Sequence, residues 1–210
     1  MTTKNILFKA FDELKNMGYI SNGSRQHESA VEKILVKHGM KSVKGEASRK
    51  AKNKSQKTKA IKEWVAQGNF PDWHYISQPY GSQSAPDFMI FYKGKKIELE
   101  CKSSKGGTIT WNSGFPSKER IYLYSCGNQL QSTYFMGDDW ITHQQYILLQ
   151  AAKEDLKKKT KEWNDRFKKE QPDCPLYLYF REMWQDTEKP VLREGITHRH
   201  KKVHNYLRRL

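Results

Sequence analysis

The stretch from Pro86 to Lys102, PDFMIFYKGKKIELECK, constrains the fold more than any other part of the chain. Its two apolar runs, FMIFY and KIELEC, flank Lys93-Gly94, and a two-residue loop with glycine in second place predicts a β-hairpin. Counting outward from that loop places Asp87 directly opposite Glu100. The hairpin therefore predicts two carboxylates that face each other on neighbouring strands.

Alternation of side chains along the hairpin predicts one buried face and one charged face. The residues expected to enter the core are Phe88, Ile90, Ile97, Leu99 and Cys101. The residues expected on the opposite face are Asp87, Glu98, Glu100 and Lys102. Glu98 opposes Met89, so we leave it out of the candidate site.

The facing pair of Asp87 and Glu100 creates an electrostatic problem. Opposed Cβ atoms lie about 5 Å apart, and two carboxylates at that distance repel by roughly 3 kcal/mol at an effective dielectric near 20. Lys102 offsets part of this charge, whereas a divalent cation would offset more. The alternative interpretation is an ordinary solvated hairpin face, on which charged residues are common.

The charge of the chain indicates an acidic partner. Lys and Arg number 38 against 23 Asp and Glu, which gives a net charge of +15, and nucleic acid is the usual partner of such an excess. An acidic membrane surface is the less favoured alternative. No apolar run approaches the roughly 20 residues of a membrane span, and the N-terminus lacks a signal-peptide pattern, so we expect a cytoplasmic protein. The three widely spaced cysteines are typical of small buried apolar residues.

Two strongly basic segments are expected to lie outside the core. Residues 41–59 contain eight Lys or Arg and almost nothing apolar, which predicts a flexible segment that binds DNA phosphates or acts only as a solubilising tether. Residues 197–210 are interpreted as a basic C-terminal tail or helix. The whole chain, 1–210, is expected to form a single domain with its core in about 25–180.

Hydrophobic periodicity predicts a mixed α/β (α+β) fold with a central mixed sheet flanked by helices. Shorter helices are expected at 5–17 and 58–67. The LYLYF run at 176–180 predicts a strand buried on both faces, reached by a right-handed crossover. The predicted core elements are a helix at 25–38, strands at 86–92, 95–103 and 121–126, a helix at 143–170 and a strand at 176–180.

These features resemble the PD-(D/E)XK nuclease superfamily, whose core has the order αβββαβ. The motif is Pro86-Asp87, twelve intervening residues, and Glu100-Cys101-Lys102. The resemblance implies that Asp87, Glu100 and the backbone carbonyl of Cys101 bind Mg²⁺, and that Lys102 positions or activates the attacking water. Many members add a glutamate from the first core helix; here that implies Glu28, with Glu32 as the second choice.

Within the superfamily, the size and layout look most like a type II restriction endonuclease. This implies a homodimer that cuts double-stranded DNA sequence-specifically, leaving 5′-phosphate and 3′-hydroxyl ends. A structure-specific nuclease, such as a junction resolvase or repair nickase, and a non-catalytic basic DNA-binding module are the alternatives. Polar residues in and before the loop at 103–120 have the chemistry to contact bases or phosphates. The candidates are Gln83, Ser84, Ser103, Ser104, Lys105, Thr110, Asn112, Ser113, Lys118 and Arg120.

Overall fold

The computed structural model describes residues 3–21, 26–43, 54–68, 71–81, 84–112, 114–185 and 196–210. The helices are α1 (Thr3–Lys15), α2 (Gln26–Lys37), α3 (Lys54–Ala66), α4 (His143–Glu170) and α5 (Ile196–Arg208). The strands are β1 (Lys41–Ser42), β2 (His74–Ser77), β3 (Phe88–Tyr92), β4 (Lys95–Ser104), β5 (Thr110–Trp111), β6 (Ile121–Cys126), β7 (Gln131–Met136) and β8 (Trp184–Gln185).

A six-stranded mixed sheet with the order β1-β2-β3-β4-β6-β7 forms the centre of the fold, so the predicted mixed α/β class is confirmed. The pairs β2–β3, β3–β4 and β6–β7 are antiparallel, whereas β1–β2 and β4–β6 are parallel. Parallel neighbours need a long connection, and residues 105–120 supply it between β4 and β6. The small β5–β8 pair forms a second sheet.

The hairpin has the predicted register. Met89 pairs with Glu98 and Phe88 with Leu99, so the next position outward brings Asp87 to Glu100. Lys93 and Gly94 have φ angles of 49° and 67°, as expected for a two-residue turn whose twist matches that of the strands. A local turn therefore fixes which side chains of β3 and β4 share a face.

Each face of the sheet is covered differently. Apolar residues of α1, α2 and α5 pack against the first face, which includes the hairpin residues predicted to be buried. On the second face, α3 packs against Ile76, Met89 and Phe91. An aromatic cluster around Trp111 and Tyr122 covers β6 and β7 on that side. The charged face of β4 lies between these last two clusters.

The predicted strand at 176–180 is wrong. These residues form no strand, and Leu176, Tyr177 and Tyr179 are 73–77% exposed. β7 occupies the edge of the sheet beside β6, to which the short helical turn Gly127–Gln129 connects it. The predicted crossover is therefore wrong as well, and β6 has β4 as its parallel neighbour instead. An apolar run alone does not reveal what covers it.

The predicted helix at 143–170 is confirmed with the same bounds as α4. Thr142 caps it by accepting a hydrogen bond from the backbone N–H of Gln145, whose side chain accepts one from the N–H of Thr142. This reciprocal pair is a strong local start signal. The helix end follows from Pro172, because the residue before a proline avoids the helical conformation.

The segment 41–59 contains more structure than predicted, and the C-terminal segment adopts the helical alternative but lies in the core, contrary to the prediction. Lys41–Ser42 pairs with β2, and α3 begins at Lys54, so the ends of the segment 41–59 are ordered, while 44–53 lie outside the described residues. The C-terminal segment forms α5, in which Val203 and Leu207 are fully buried. It is therefore a core helix with a basic outer side.

Of the three cysteines, Cys101 and Cys126 are buried as expected, whereas Cys174 is exposed, contrary to the prediction. All three are free thiols. In the described ranges, no helix has the length and apolar character needed to cross a membrane.

Gly137, which follows β7, tests how closely the loop before β6 packs on the sheet. A Cβ there would lie 2.0 Å from the backbone oxygen of Ser117. We expect Gly137→Ala to lower the free energy of unfolding by about 2 kcal/mol, because backbone must move to admit the methyl group. Urea denaturation measures the loss. Gly106→Ala is the matched control, since a Cβ there meets nothing within 4 Å; equal effects of the two would contradict the close packing.

Candidate active site

Asp87 lies immediately before β3 and is fixed against β4 by one hydrogen bond. The backbone N–H of Cys101 donates to Asp87 Oδ2 at 2.8 Å. This contact joins the start of one hairpin strand to the middle of the other. It holds the Asp87 carboxylate beside the backbone between Glu100 and Lys102, as the predicted register requires.

Glu100 and Lys102 form a buried ion pair on the second face of the sheet. Their exposed fractions are only 4% and 9%, and Lys102 Nζ lies 2.9 Å from Glu100 Oε1. Glu100 Oε2 is buried and has no hydrogen-bond partner in the described structure. Lys102 Nζ also lies 3.5 Å from Asn112 Oδ1 and 5.9 Å from the ring centroid of Trp111. The loop after β4 therefore closes over the Lys102 ammonium.

The pKa of Asp87 is raised by burial and by neighbouring carboxylates. Burial is the largest cause that raises the pKa of Asp87 to about 7, and the charge of Glu100 and that of Glu28 raise it further. The Cys101 N–H and Lys102 act in the opposite direction and do not compensate. Burial, Asp87, Glu100 and Glu28 also raise the pKa of the Cys101 thiol, which stays protonated.

Glu28 on α2 belongs to this group, whereas Glu32 does not. Glu28 Oε2 is buried without a hydrogen-bond partner among the described residues, and its charge acts on Asp87. Glu32, one turn later, accepts a hydrogen bond of 2.8 Å from the hydroxyl of Tyr75. Glu32 is therefore bound to Tyr75, and Glu28 is the helix glutamate whose charge acts on the site.

Glu98 is neutralised by its own partners. Lys96 Nζ lies 2.7 Å from Glu98 Oε1, and the guanidinium of Arg120 lies 2.8 Å from Glu98 Oε2. Burial acts to raise the pKa of Glu98, but these two hydrogen bonds outweigh it and lower the pKa. The exclusion of Glu98 from the site is thus explained by its ion pairs, and the same pairing occupies Arg120, which we had expected to contact DNA.

The donor set of the site fits a divalent cation. Mg²⁺ prefers oxygen ligands and is usually held by one or two carboxylates together with waters and substrate phosphates. Glu28 and Glu100 each have an orphaned buried carboxylate oxygen, and the pKa of Asp87 is raised first by burial and then by its acidic neighbours. No three acidic, histidine or cysteine side chains within the described ranges converge closely enough to hold a metal ion by themselves. Waters, substrate phosphate or the Cys101 carbonyl would have to complete the coordination.

The residues predicted to contact DNA divide into two groups. Ser84, Lys105, Asn112 and Lys118 are exposed, and Ser103 is half-buried, so these side chains can reach a ligand. Gln83 and Ser113 lie outside the described residues. The remaining candidates have partners within the protein: Ser104 Oγ accepts from Gly107 N at 3.0 Å, Thr110 Oγ1 donates to Gln185 Oε1 at 2.6 Å, and Arg120 binds Glu98.

Sequence reasoning missed the contact of Trp111 and Asn112 with Lys102. Trp111 packs edge-on against Tyr122 with ring centroids 5.1 Å apart, which carries the loop across β6 and over the end of β4. The only available signal was that the loop follows the strand bearing Lys102. Pairing of β5 with β8, far along the chain, is what positions the loop.

Comparison with known proteins finds no family model, no curated protein and no solved structure that matches the chain. The resemblance to the nuclease superfamily stays a hypothesis. The residues of its motif lie together, but the last strand of the predicted αβββαβ order, expected at 176–180, is not found in the described structure.

The raised pKa of Asp87 gives stability a pH dependence. The unfolded chain releases this proton near pH 4, but the folded protein keeps it up to about pH 7. The stabilising contribution is complete below about pH 4 and is lost as the pH rises to about 7. In metal-free buffer we expect Asp87→Asn to be more stable than the native chain by about 2 kcal/mol at pH 8, with a much smaller difference at pH 5. Urea denaturation at both values measures this.

Asp155→Asn, at an exposed position of α4, is the matched control and should shift stability equally at both pH values. The same result for Asp87→Asn would show that the Asp87 carboxylate is not held in an electrostatically unfavourable site.

The two helix glutamates provide a paired test of metal binding. We expect Glu28→Gln to weaken Mg²⁺ binding on the order of 10-fold, as found when groups that support a metal site are removed. Glu32→Gln should leave the affinity within about twofold, because Glu32 binds Tyr75. Isothermal titration of the folded chain with Mg²⁺ measures both. A larger loss for Glu32→Gln than for Glu28→Gln would reverse the assignment.

Proposed function

We propose that this chain is a Mg²⁺-dependent endonuclease that hydrolyses phosphodiester bonds of double-stranded DNA at a specific sequence, like a type II restriction enzyme. The observation that supports this most is the buried group of Asp87, Glu100 and Lys102, with Glu28 nearby, in which carboxylates outnumber the cation. Structural ion pairs usually balance their charge, as Glu98 does. A site that retains excess negative charge is suited to binding a cation.

The residues have separable roles in the proposed reaction. A divalent cation held by Asp87, Glu100 and the Cys101 carbonyl would make a bound water nucleophilic and offset phosphate charge. The Cys101 N–H orients Asp87, and the Lys102 ammonium stands 2.9 Å from the Glu100 carboxylate. In the proposed reaction Lys102 would donate to the attacking water or to a phosphate oxygen as negative charge develops there. Hydrolysis would leave 5′-phosphate and 3′-hydroxyl ends.

Binding of DNA is supported by charge. The net charge of +15 favours association with phosphates in a salt-dependent manner. Lys105, Asn112 and Lys118 are exposed on the segment that follows β4, and Asn112 also contacts Lys102. This segment would link recognition of DNA to the catalytic group. Cutting both strands requires two sites, which a homodimer supplies; a restriction enzyme would act on DNA in the cytoplasm.

The catalytic group can be tested by alanine substitution. Asp87→Ala, Glu100→Ala and Lys102→Ala should each lower the rate of cleavage of a long natural DNA roughly 100-fold or more in Mg²⁺, because each removes a group that stabilises the transition state. Binding of DNA in Ca²⁺, measured by gel mobility shift, should persist. Gel electrophoresis of the digest reports the rate and the pattern.

Glu98→Gln is the matched control on the same strand and should keep at least about one-third of the cleavage rate, since Glu98 serves Lys96 and Arg120. Discrete bands support a sequence-specific enzyme, whereas cleavage only at branched DNA would indicate a structure-specific nuclease. Unchanged cleavage in all three alanine variants would exclude this catalytic group. Binding without cleavage by the native chain would indicate a non-catalytic DNA-binding module.

A further inference from the structure

α4 and the extended chain after it form a projection without a core of its own. We call residues 143–183 the arm. None of the residues of α4 is buried. After the helix, the chain folds back along it: Asn164 exchanges two hydrogen bonds with the backbone of Leu178, and Lys153 pairs with Glu182 at 2.6 Å. The arm is thus a helix with one extended segment lying against it.

The arm concentrates the exposed apolar surface of the molecule. Eleven of the thirteen large apolar side chains that are exposed in the described structure lie on it, with exposed fractions from 37% to 77%. Large apolar and aromatic side chains each present roughly 150–250 Å² when fully exposed, so the arm offers on the order of 1,000 Å². This total is a sum over the helix and the extended segment, whereas the largest single apolar patch of a typical monomer is about 300–600 Å².

We propose that the arm is the surface through which two copies of this chain associate, arm against arm. The exposed apolar side chains lie on more than one side of α4, so only part of this total can face one partner. If about 600 Å² on each copy does so, two arms bury roughly 1,200 Å², the lower end of the range of stable interfaces. The area available on one chain is therefore enough for a dimer without a contribution from the rest of the molecule.

The charge of the arm favours a protein partner over nucleic acid. It carries nine Lys or Arg and seven Asp or Glu, a net charge of +2, whereas the whole chain carries +15. Several of these charges already pair within the helix, such as Lys161 with Asp165 and Arg166 with Glu170. A surface of mixed charges and exposed aromatic residues suits another copy of itself better than a phosphate backbone.

The extended segment is the reason to propose a second copy of the chain as the partner that covers the arm. Residues 176–180 form no ladder with any described strand, although Leu, Tyr and Phe fill the run. The backbone of Leu178 is bound by the Asn164 side chain and not by a strand. An extended segment with apolar side chains that belongs to no sheet is prone to pair with an identical segment, and antiparallel pairing about a two-fold axis is closed, so it stops at two chains. The need for two active sites rests on the proposed function, whereas the exposed apolar surface of the arm is observed independently of that function.

The oligomeric state of the full chain, free of DNA and in EDTA, tests this inference. Sedimentation equilibrium should give twice the chain mass of 24.8 kDa. The double substitution Tyr177→Asp, Tyr179→Asp should raise the dimer dissociation constant at least about 30-fold, as expected when central aromatic contacts are lost. Both side chains are more than 70% exposed, so the fold of the monomer does not depend on them. Leu148→Asp, on the helix, provides an independent variant.

Leu130→Asp is the matched control, since Leu130 is 74% exposed but lies outside the arm, and its dimer should be unchanged. A nitroxide on Cys174, the exposed thiol beside the extended segment, adds a direct readout. Dipolar coupling between two labels should appear in the native dimer and vanish in the double variant. A monomeric native chain, or a dimer that survives both arm variants, would overturn the inference.

The outcomes also separate this inference from the proposed function. A dimer that depends on the arm but does not cut DNA would leave the interface standing and remove the nuclease. Site-specific cleavage of DNA, together with a dimer that is unchanged by the arm substitutions, would support the nuclease and exclude the arm as the interface.

Discussion

The hydrogen bond from the Cys101 N–H to Asp87 is the contact on which the candidate site depends. It exists only because the hairpin has one particular register, and a slip of one residue would turn every side chain of β4 to the other face. The positive φ angles at Lys93 and Gly94 set that register locally. Complete burial of Phe88 and Ile97 on the first face then prevents a slip. The core and the site therefore lie on opposite faces of the same pair of strands.

Electrostatics separates two glutamates that lie only two residues apart. Glu98 has Lys96 and Arg120 as partners, so its negative charge is compensated within the protein. Glu100 pairs directly with Lys102, whose charge also acts on Asp87. Ion pairs within the protein therefore account for Glu98. The group of Asp87, Glu100 and Lys102 keeps an excess of negative charge. This difference, more than the motif spacing, is the physical reason to regard Asp87 and Glu100 as a place for a cation.

Local signals made part of this arrangement predictable. The two-residue loop determines the hairpin register, and the reciprocal cap at Thr142 marks the start of α4. The choice between Glu28 and Glu32 could not be made in this way, because it depends on Tyr75, which β2 brings to the helix from an irregular-looking stretch of sequence. Likewise, the ion pair of Arg120 with Glu98 joins residues that are distant in sequence, so the loop appeared more available to DNA than it is.

The failed strand at 176–180 is informative about what an apolar run means. The edge of the sheet beside β6 is filled by β7, which follows after only a short turn, whereas 176–180 would have to return across the whole of α4. Closing a short loop costs less chain entropy than closing a long one, so the nearer strand has the advantage. The LYLYF segment then keeps the composition of a buried strand without a sheet to join. The predicted burial of 176–180 is therefore wrong for the single chain, because an apolar composition favours burial but does not provide the neighbouring strand that burial requires.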